Sequence, residues 1–269
     1  MIERINEMYE KKDRSRWRQY AWAIFIVAVI IWSSTTVNQV SMTKNGSTIA
    51  SNILKGILTP DTSLLFNLTT QSVPYLLLET IAIAFLGTLV GAVISLPIAF
   101  LASKKIMPAP VVLIVRLFVV AVRTIPSFVY GLMFIRVTGP GAFAGLMTLS
   151  VTSIGMLTKL FNETIDDIDV SILEAMEAAG CNTFEKIRCG ILPQLGSSLL
   201  STLIFRFDMN LRDATTLGLV GAGGIGAPLI FAMSSYRWNQ VGSILIGLIV
   251  LIIFVEFSSS YIRKRLARG

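Results

Sequence analysis

The sequence predicts an all-α protein that crosses a membrane several times. Hydrophobic residues make up 54% and charged residues 14% of its 269 positions, against roughly half apolar and about a quarter charged in soluble domains. The apolar residues also gather in stretches long enough to cross about 30 Å of hydrocarbon as helices of about 20 residues. Six such stretches fall near 18–36, 74–102, 110–135, 142–163, 194–216 and 239–261. Basic residues orient them. Arg4, Lys11, Lys12, Arg14, Arg16 and Arg18 precede the first stretch, Lys104 and Lys105 separate the second from the third, and Arg263, Lys264, Arg265 and Arg268 follow the last. The positive-inside rule places all three groups in the cytoplasm, with both termini inside for an even number of spans. The net charge of +7 then faces anionic lipid headgroups and requires no nucleic acid.

Taken in order, the first stretch has the short apolar core of a signal peptide. Its long charged lead and the flanking Trp17, Trp22 and Trp32 favour an uncleaved anchor instead. An external segment, 38–72, follows. Ile49, Ile53, Ile57 and Leu58 share one helical face there, which predicts a short helix at the outer interface. The second stretch carries Gly87 and Gly91 between Ala84 and Ser95, a stripe of small residues that packs closely within the subunit or across a dimer. Glu79, at its outer end, calls for an arginine partner. In the third stretch Arg116 and Arg123 lie seven apart on one face. Arg123, beside Thr124 and before the helix-breaking Pro126, comes out near the membrane midplane. Intramembrane ionisable residues default to functional candidates, and a guanidinium there offers a fork of donors to an oxyanion. Arg116 is close enough to the inner side to snorkel.

Between the fourth and fifth stretches lies a polar insert, 164–193, with the appearance of two short capped helices. Ser171 with Glu174 and Asn182 with Glu185 have capping-box spacing, Gly180 suits a left-handed helix end, and Gly190 and Pro193 predict a break before the next span. By pattern alone it is either an ordinary cytosolic loop or a docking element. The fifth stretch contains Arg206, Asp208, Arg212 and Asp213, charges that also fit an earlier end to the span. Asp208 with Arg212 has ion-pair spacing and Arg206 with Asp213 shares a face, so these four read either as mutually neutralised pairs fixing helix packing or, for Arg206 and Asp208, as part of a path with Arg123 and Thr124. After them, Gly221, Gly223, Gly224 and Gly226 predict tight turns near the external mouth.

Several chemistries are excluded. The chain has no histidine, which removes imidazole catalysis and His metal ligation. Cys181 and Cys189 lack Cys-x-x-Cys spacing and read as free thiols, with no metal site and no cofactor. No P-loop sequence occurs, so any ATPase must be another polypeptide. Gly221, Gly223 and Gly226 spell a dinucleotide fingerprint, but it follows a membrane span and lacks the strand-turn-helix context that gives the motif its mechanism.

Glu174, Ala175, Gly180, Leu192 and Pro193 fall on the glutamate-alanine-alanine, glycine, leucine-proline signature of ABC importer permeases. Met176 stands where that signature has a second alanine, and Gly190 where isoleucine is usual. Gly56–Leu65, Val122–Leu132 and Leu211–Gly226 point the same way, and the chain as a whole resembles the phosphonate-type branch. The resemblance implies a five-span type I importer core at 74–269 preceded by an N-terminal span and external segment at 1–73. It also implies a coupling helix that docks on a cytoplasmic ATPase, a second permease copy or paralogue, and an extracytoplasmic binding protein facing the glycine loop. The chain would then be a bacterial inner-membrane permease without catalysis of its own, passing phosphonate, phosphite or phosphate. A related importer for another solute such as an amino acid, or a secondary carrier or channel, is the alternative.

Overall fold

The computed structural model describes residues 2–36, 46–67, 69 and 71–266, with side chains from residue 17. All regular structure among them is helical. The chain forms two compact units, Met1–Ser51 and Asn52–Gly269.

The first unit is built on α1 (Ile2–Thr36). Its apolar run is exposed, Trp22 meets Phe25 edge to face, and among the described residues it is not one of the helices long and apolar enough to cross a membrane. The side chains of Arg4 to Arg16 lie outside the described residues. Helix α2 (Gly46–Leu58) begins here and includes Ile49, Ile53, Ile57 and Leu58, as the helix expected over these positions requires. Residues 38–45 of the predicted external segment lie outside the described residues.

In the second unit, α2 ends against the start of the last helix, and α3 (Thr62–Phe66) is capped by the Asp61 side chain. Helix α4 (Val73–Ala102) then packs along its length on α7 (Ala142–Asp166). The small-residue stripe makes this contact. A Cβ on Gly87 would stand 2.7 Å from Leu149, and one on Gly91 would stand 2.5 Å from Ser153, so the stripe is an internal seam.

The third predicted span is a correction. It divides into α5 (Ala109–Thr124) and α6 (Ser127–Thr138), bent by 83°. Pro126 has no N–H to offer the carbonyl of Val122 one turn earlier. The Tyr130 hydroxyl donates to that carbonyl at 3.1 Å.

After α7 come α8 (Val170–Ala178), α9 (Thr183–Glu185), a π turn over Lys186–Ile191 and α10 (Leu192–Gly218). Then follow α11 (Gly226–Ser234) and α12 (Trp238–Leu266). Among the described residues α4, α7 and α12 are each long and apolar enough to cross a membrane, and the bent α5–α6 pair makes a fourth crossing if it counts as one span. Helix α10, at 27 residues, is about 40 Å long. Four ionisable residues keep it from reading as an apolar span.

Three apolar clusters hold the bundle. One joins Phe100, Leu157, Ile165, Ile191 and Leu195 around the ends of α4, α7 and the insert. A second joins Ile83, Leu149, Leu211 and Leu217 at mid-height, and a third joins Leu76, Ile225, Leu229 and Ile244 near the glycine loop.

Candidate functional site

The insert projects as an exposed two-helix hairpin. Helix α8 starts two residues earlier than the Ser171 cap predicts, because the Asp169 carboxylate accepts from the Ser171 N–H at 3.0 Å. That backbone bond, then the Ser171 hydroxyl, holds the Asp169 carboxyl below its ordinary value. The cap therefore persists above the usual aspartate range and is lost only as pH falls through the lowered value. Gly180 ends the helix at φ +80°. The second cap forms as predicted. Asn182 accepts from the Glu185 N–H at 2.9 Å, while Glu185 accepts from the Asn182 N–H at 2.7 Å.

Gly190 and Pro193 do not break the chain, contrary to the sequence expectation. The π turn passes directly into α10, where Pro193 sits in the first turn and needs no N–H donor. The two departures from the permease signature meet each other in space, since a Cβ on Gly190 would lie 2.5 Å from the Met176 Sδ. The larger side chain at 176 occupies the room that glycine leaves at 190.

Glu174, Ala175 and Pro193 are exposed, and Leu192 is half-buried. Lys186 pairs with Glu177 at 2.9 Å, across the hairpin. Phe184, which the sequence reading passed over, is 68% exposed on the second turn. A phenylalanine two residues after the Asn182 cap, on an otherwise polar insert, was the available signal. The hairpin is fixed to the bundle from beneath. Lys105 donates to the Ile168 carbonyl, and the Ser103 hydroxyl donates to Asp166 at 2.8 Å.

Arg116 is a structural pin. It donates to the Ala102 carbonyl, to Asn162 and to Asp166, each at 2.9 Å, and so ties the ends of α4 and α7 together. Arg123, at the end of α5, is exposed and has no ion pair among the described residues. Its stem crosses the middle of α7 at Gly155, where a Cβ would stand 2.7 Å from the Arg123 Cγ. The adjacent Thr124 hydroxyl donates to the Ala121 carbonyl at 2.7 Å.

Arg206 and Asp208 are buried, at 4% and 6% exposure. Arg206 donates to Ser153 at 3.2 Å and to Thr152 at 3.3 Å, with Asp213 at 3.9 Å. Asp208 accepts from Arg212 at 3.1 Å, and Arg212 also reaches Glu256 on α12 at 3.3 Å. These contacts do not bring Arg206 or Asp208 together with Arg123 and Thr124. The sequence reading missed Glu256, and also the fully buried Asn210, which donates to Thr88 and, beside Arg206, to Ser153, each at 2.7 Å. Glu79 has no ion pair among the described residues, against expectation.

The glycine loop is packed into the bundle. Gly221, Gly223 and Gly224 take φ of +95°, +80° and +71°. The Gly141 N–H donates to the Gly221 carbonyl at 2.9 Å, and the Ile225 N–H donates to the Thr80 hydroxyl at 3.0 Å. Ala222 and Ile225 are at most 1% exposed. Gly226 is no turn residue. It opens α11, whose start lies against Gly218, with 2.7 Å from its would-be Cβ to the Gly218 Cα. Helix α10 leads into the Gly-x-Gly-x-x-Gly sequence where a dinucleotide fold would have a strand.

Comparison with known proteins places this geometry in a family. Residues 95–269 match the model of the binding-protein-dependent transport system inner membrane component. The phosphite transport system permease protein PtxC of Stutzerimonas stutzeri is 33% identical over 70% of this chain and 69% of its own length. The phosphate-import permease protein PhnE of Mycolicibacterium smegmatis is 32% identical over 70% of this chain but only 36% of its own length. Among solved structures, the MetNI methionine ABC transporter in an inward-facing conformation superposes with a TM-score of 0.62 at 22% identity, over 71% of this chain and 94% of that one. This last likeness speaks to fold. With its helical bundle, apolar spans and family match over 95–269, the chain is a multi-pass membrane protein that belongs to the binding-protein-dependent transport system inner membrane component family.

Proposed function

We propose that this chain is the transmembrane permease subunit of an ATP-driven importer for a phosphorus oxyanion, whether phosphonate, phosphite or phosphate. An extracytoplasmic binding protein delivers the cargo, and a separate cytoplasmic ATPase docks on the insert at Glu174, Ala175 and Gly180, with Leu192 and Pro193 at its root. Support comes above all from the exposed, doubly capped hairpin that runs without interruption into α10. The named cargoes of the phosphite and phosphate relatives supply the substrate class. Both termini lie in the cytoplasm, residues 74–269 form the permease domain after an anchoring segment at 1–73, and a second copy or paralogue completes the pathway. Arg123 and Thr124 face that pathway. Arg206 and Asp208 act in it as fixed interior charges, and the loop of Gly221, Gly223, Gly224 and Gly226 closes its outer end.

In liposomes the chain alone should neither hydrolyse ATP nor take up phosphite. Addition of the ATPase should give hydrolysis that the phosphite-loaded binding protein stimulates from the opposite face. Uptake down a phosphite gradient by this chain alone would establish a carrier or channel instead.

Gly180→Val isolates the docking role. No heavy atom lies within 4 Å of the added Cβ, so the variant tests backbone conformation alone, at about 1–3 kcal/mol of local strain. ATPase attachment, read by co-purification, should fall sharply while Gly180→Asn retains it. Attachment undiminished in the valine variant would move the docking element elsewhere.

A further inference from the structure

A cavity of about 280 Å³ opens between the end of α4, the length of α5 and the C-terminal half of α7. Among the groups lining it are Arg116, Arg123, Thr158, Lys159, Glu163 and Asp166. Three cations thus face two carboxylates, and the pairing is uneven. Arg116 is closed by Asp166 at 2.9 Å and Lys159 by Glu163 at 3.3 Å. Arg123 has neither an ion pair nor a hydrogen bond among the described residues.

Two independent observations mark the same place. Thr158 is 1% exposed and its hydroxyl has no partner, whereas Thr148, Thr152 and Thr164 on the same helix donate to the carbonyl one turn earlier. A buried hydroxyl left without a bond is costly, and such groups are few in folded proteins. Secondly, Arg123 is seated by an absence of side chain. Its stem lies where a Cβ on Gly155 would stand, 2.7 Å from Cγ and 3.7 Å from Cδ. Gly155, Thr158, Lys159 and Asn162 follow the three-and-four spacing that puts them on one face of α7. The helix that carries the unpaired hydroxyl therefore also carries the seat of the unpaired guanidinium.

We propose that this cavity binds a tetrahedral phosphorus oxyanion. Arg123 offers it a planar fork of N–H donors, Thr158 adds a hydroxyl donor, and Lys159, whose own ion pair is exposed, adds charge. This rests on the importer reading above and deepens it by giving the cargo a resting place inside the chain. A phospholipid headgroup presents the same chemistry, and the test separates the two sources.

The full chain is purified in maltoside detergent, and binding of radiolabelled inorganic phosphate is measured with phosphite as competitor. The phospholipid phosphorus retained by the protein is assayed alongside. Binding should be saturable. It should weaken about tenfold in Thr158→Val, the expectation for one hydrogen bond to a charged group, and recover in Thr158→Ser. Arg123→Gln should weaken it at least as much. Gly155→Val, which unseats Arg123 without removing any donor, should do so too. Each variant is scored only with a monodisperse elution profile matching the parent chain.

Retained phospholipid phosphorus that disappears in the same variants, with no binding of free phosphate, supports the site and assigns it to a lipid headgroup. No binding of either, or phosphate binding indifferent to Thr158→Val and Arg123→Gln, overturns the site. The importer reading fails separately. Phosphate binding without ATP-driven phosphite uptake keeps the site and sinks that reading, and uptake without binding does the reverse.

Discussion

Gly223→Val should leave almost no folded protein after mild heating. The residue sits at φ +80°, where a β-branched side chain stores roughly 1–3 kcal/mol of strain. The added Cβ would also stand 2.6 Å from both the N and Cα of Ala142. Those are backbone atoms at the start of α7 and cannot rotate away, so overpacking adds about 1–3 kcal/mol more. A combined loss of several kcal/mol is a large share of the roughly 5–15 kcal/mol that holds a typical fold. Size-exclusion profiles after a heating series would measure it. Gly221→Asn serves as the comparison. Its φ is +95° but its nearest neighbour is Pro140 at 3.6 Å, so it should lose much less. Equal losses in the two variants would mean that close approach to α7 is not what the loop requires.

Arg206→Met should cost about 3 kcal/mol, the lower end for breaking a buried pair. Asp213 is more than a third exposed at 37% and stands 3.9 Å away, so water screens part of the charge left behind. The variant also strips Ser153 and Thr152 of a donor inside the α7 seam. Adding Asp213→Asn should recover part of the loss, and the double-mutant cycle on thermal unfolding reads the coupling directly. If the two losses simply add, Arg206 acts through the α7 hydroxyls alone.

The positions of α4, α7 and α12 were legible within a few residues because an apolar run of span length has few other uses in water. The Gly180 end and the Asn182–Glu185 cap were legible because both are local devices that need no tertiary partner. What failed was decided at longer range. Pro126 announced a break, but the 83° bend depends on what α5 and α6 pack against. The Asp169 cap is the local exception, since its carboxylate takes the Ser171 N–H and so starts the helix two residues before the expected cap. The π turn over Lys186–Ile191 has no local sequence rule that announces it.

Within the candidate site, same-face arithmetic found the Arg206–Asp213 and Asp208–Arg212 pairs. It could not find Glu256, a helix away, nor notice that Asn210 among four charges was the most enclosed polar group of α10. Small-residue spacing in α4 was visible. Which helix filled it, and that Gly155 on that helix seats Arg123, needed the fold.

The Tyr130 hydroxyl at the α5–α6 break acts as a corner brace. A membrane protein that opens a helix must find donors for the exposed carbonyls, because hydrocarbon supplies none. Here the donor comes from the far arm of the bend, eight residues along the chain from the Val122 carbonyl it serves. Straightening the elbow would pull brace and carbonyl apart and leave a bare acceptor in an oily setting. The elbow therefore behaves as a fixed angle, and the guanidinium one residue beyond the braced carbonyl is carried with the arm, swinging only if the whole corner moves.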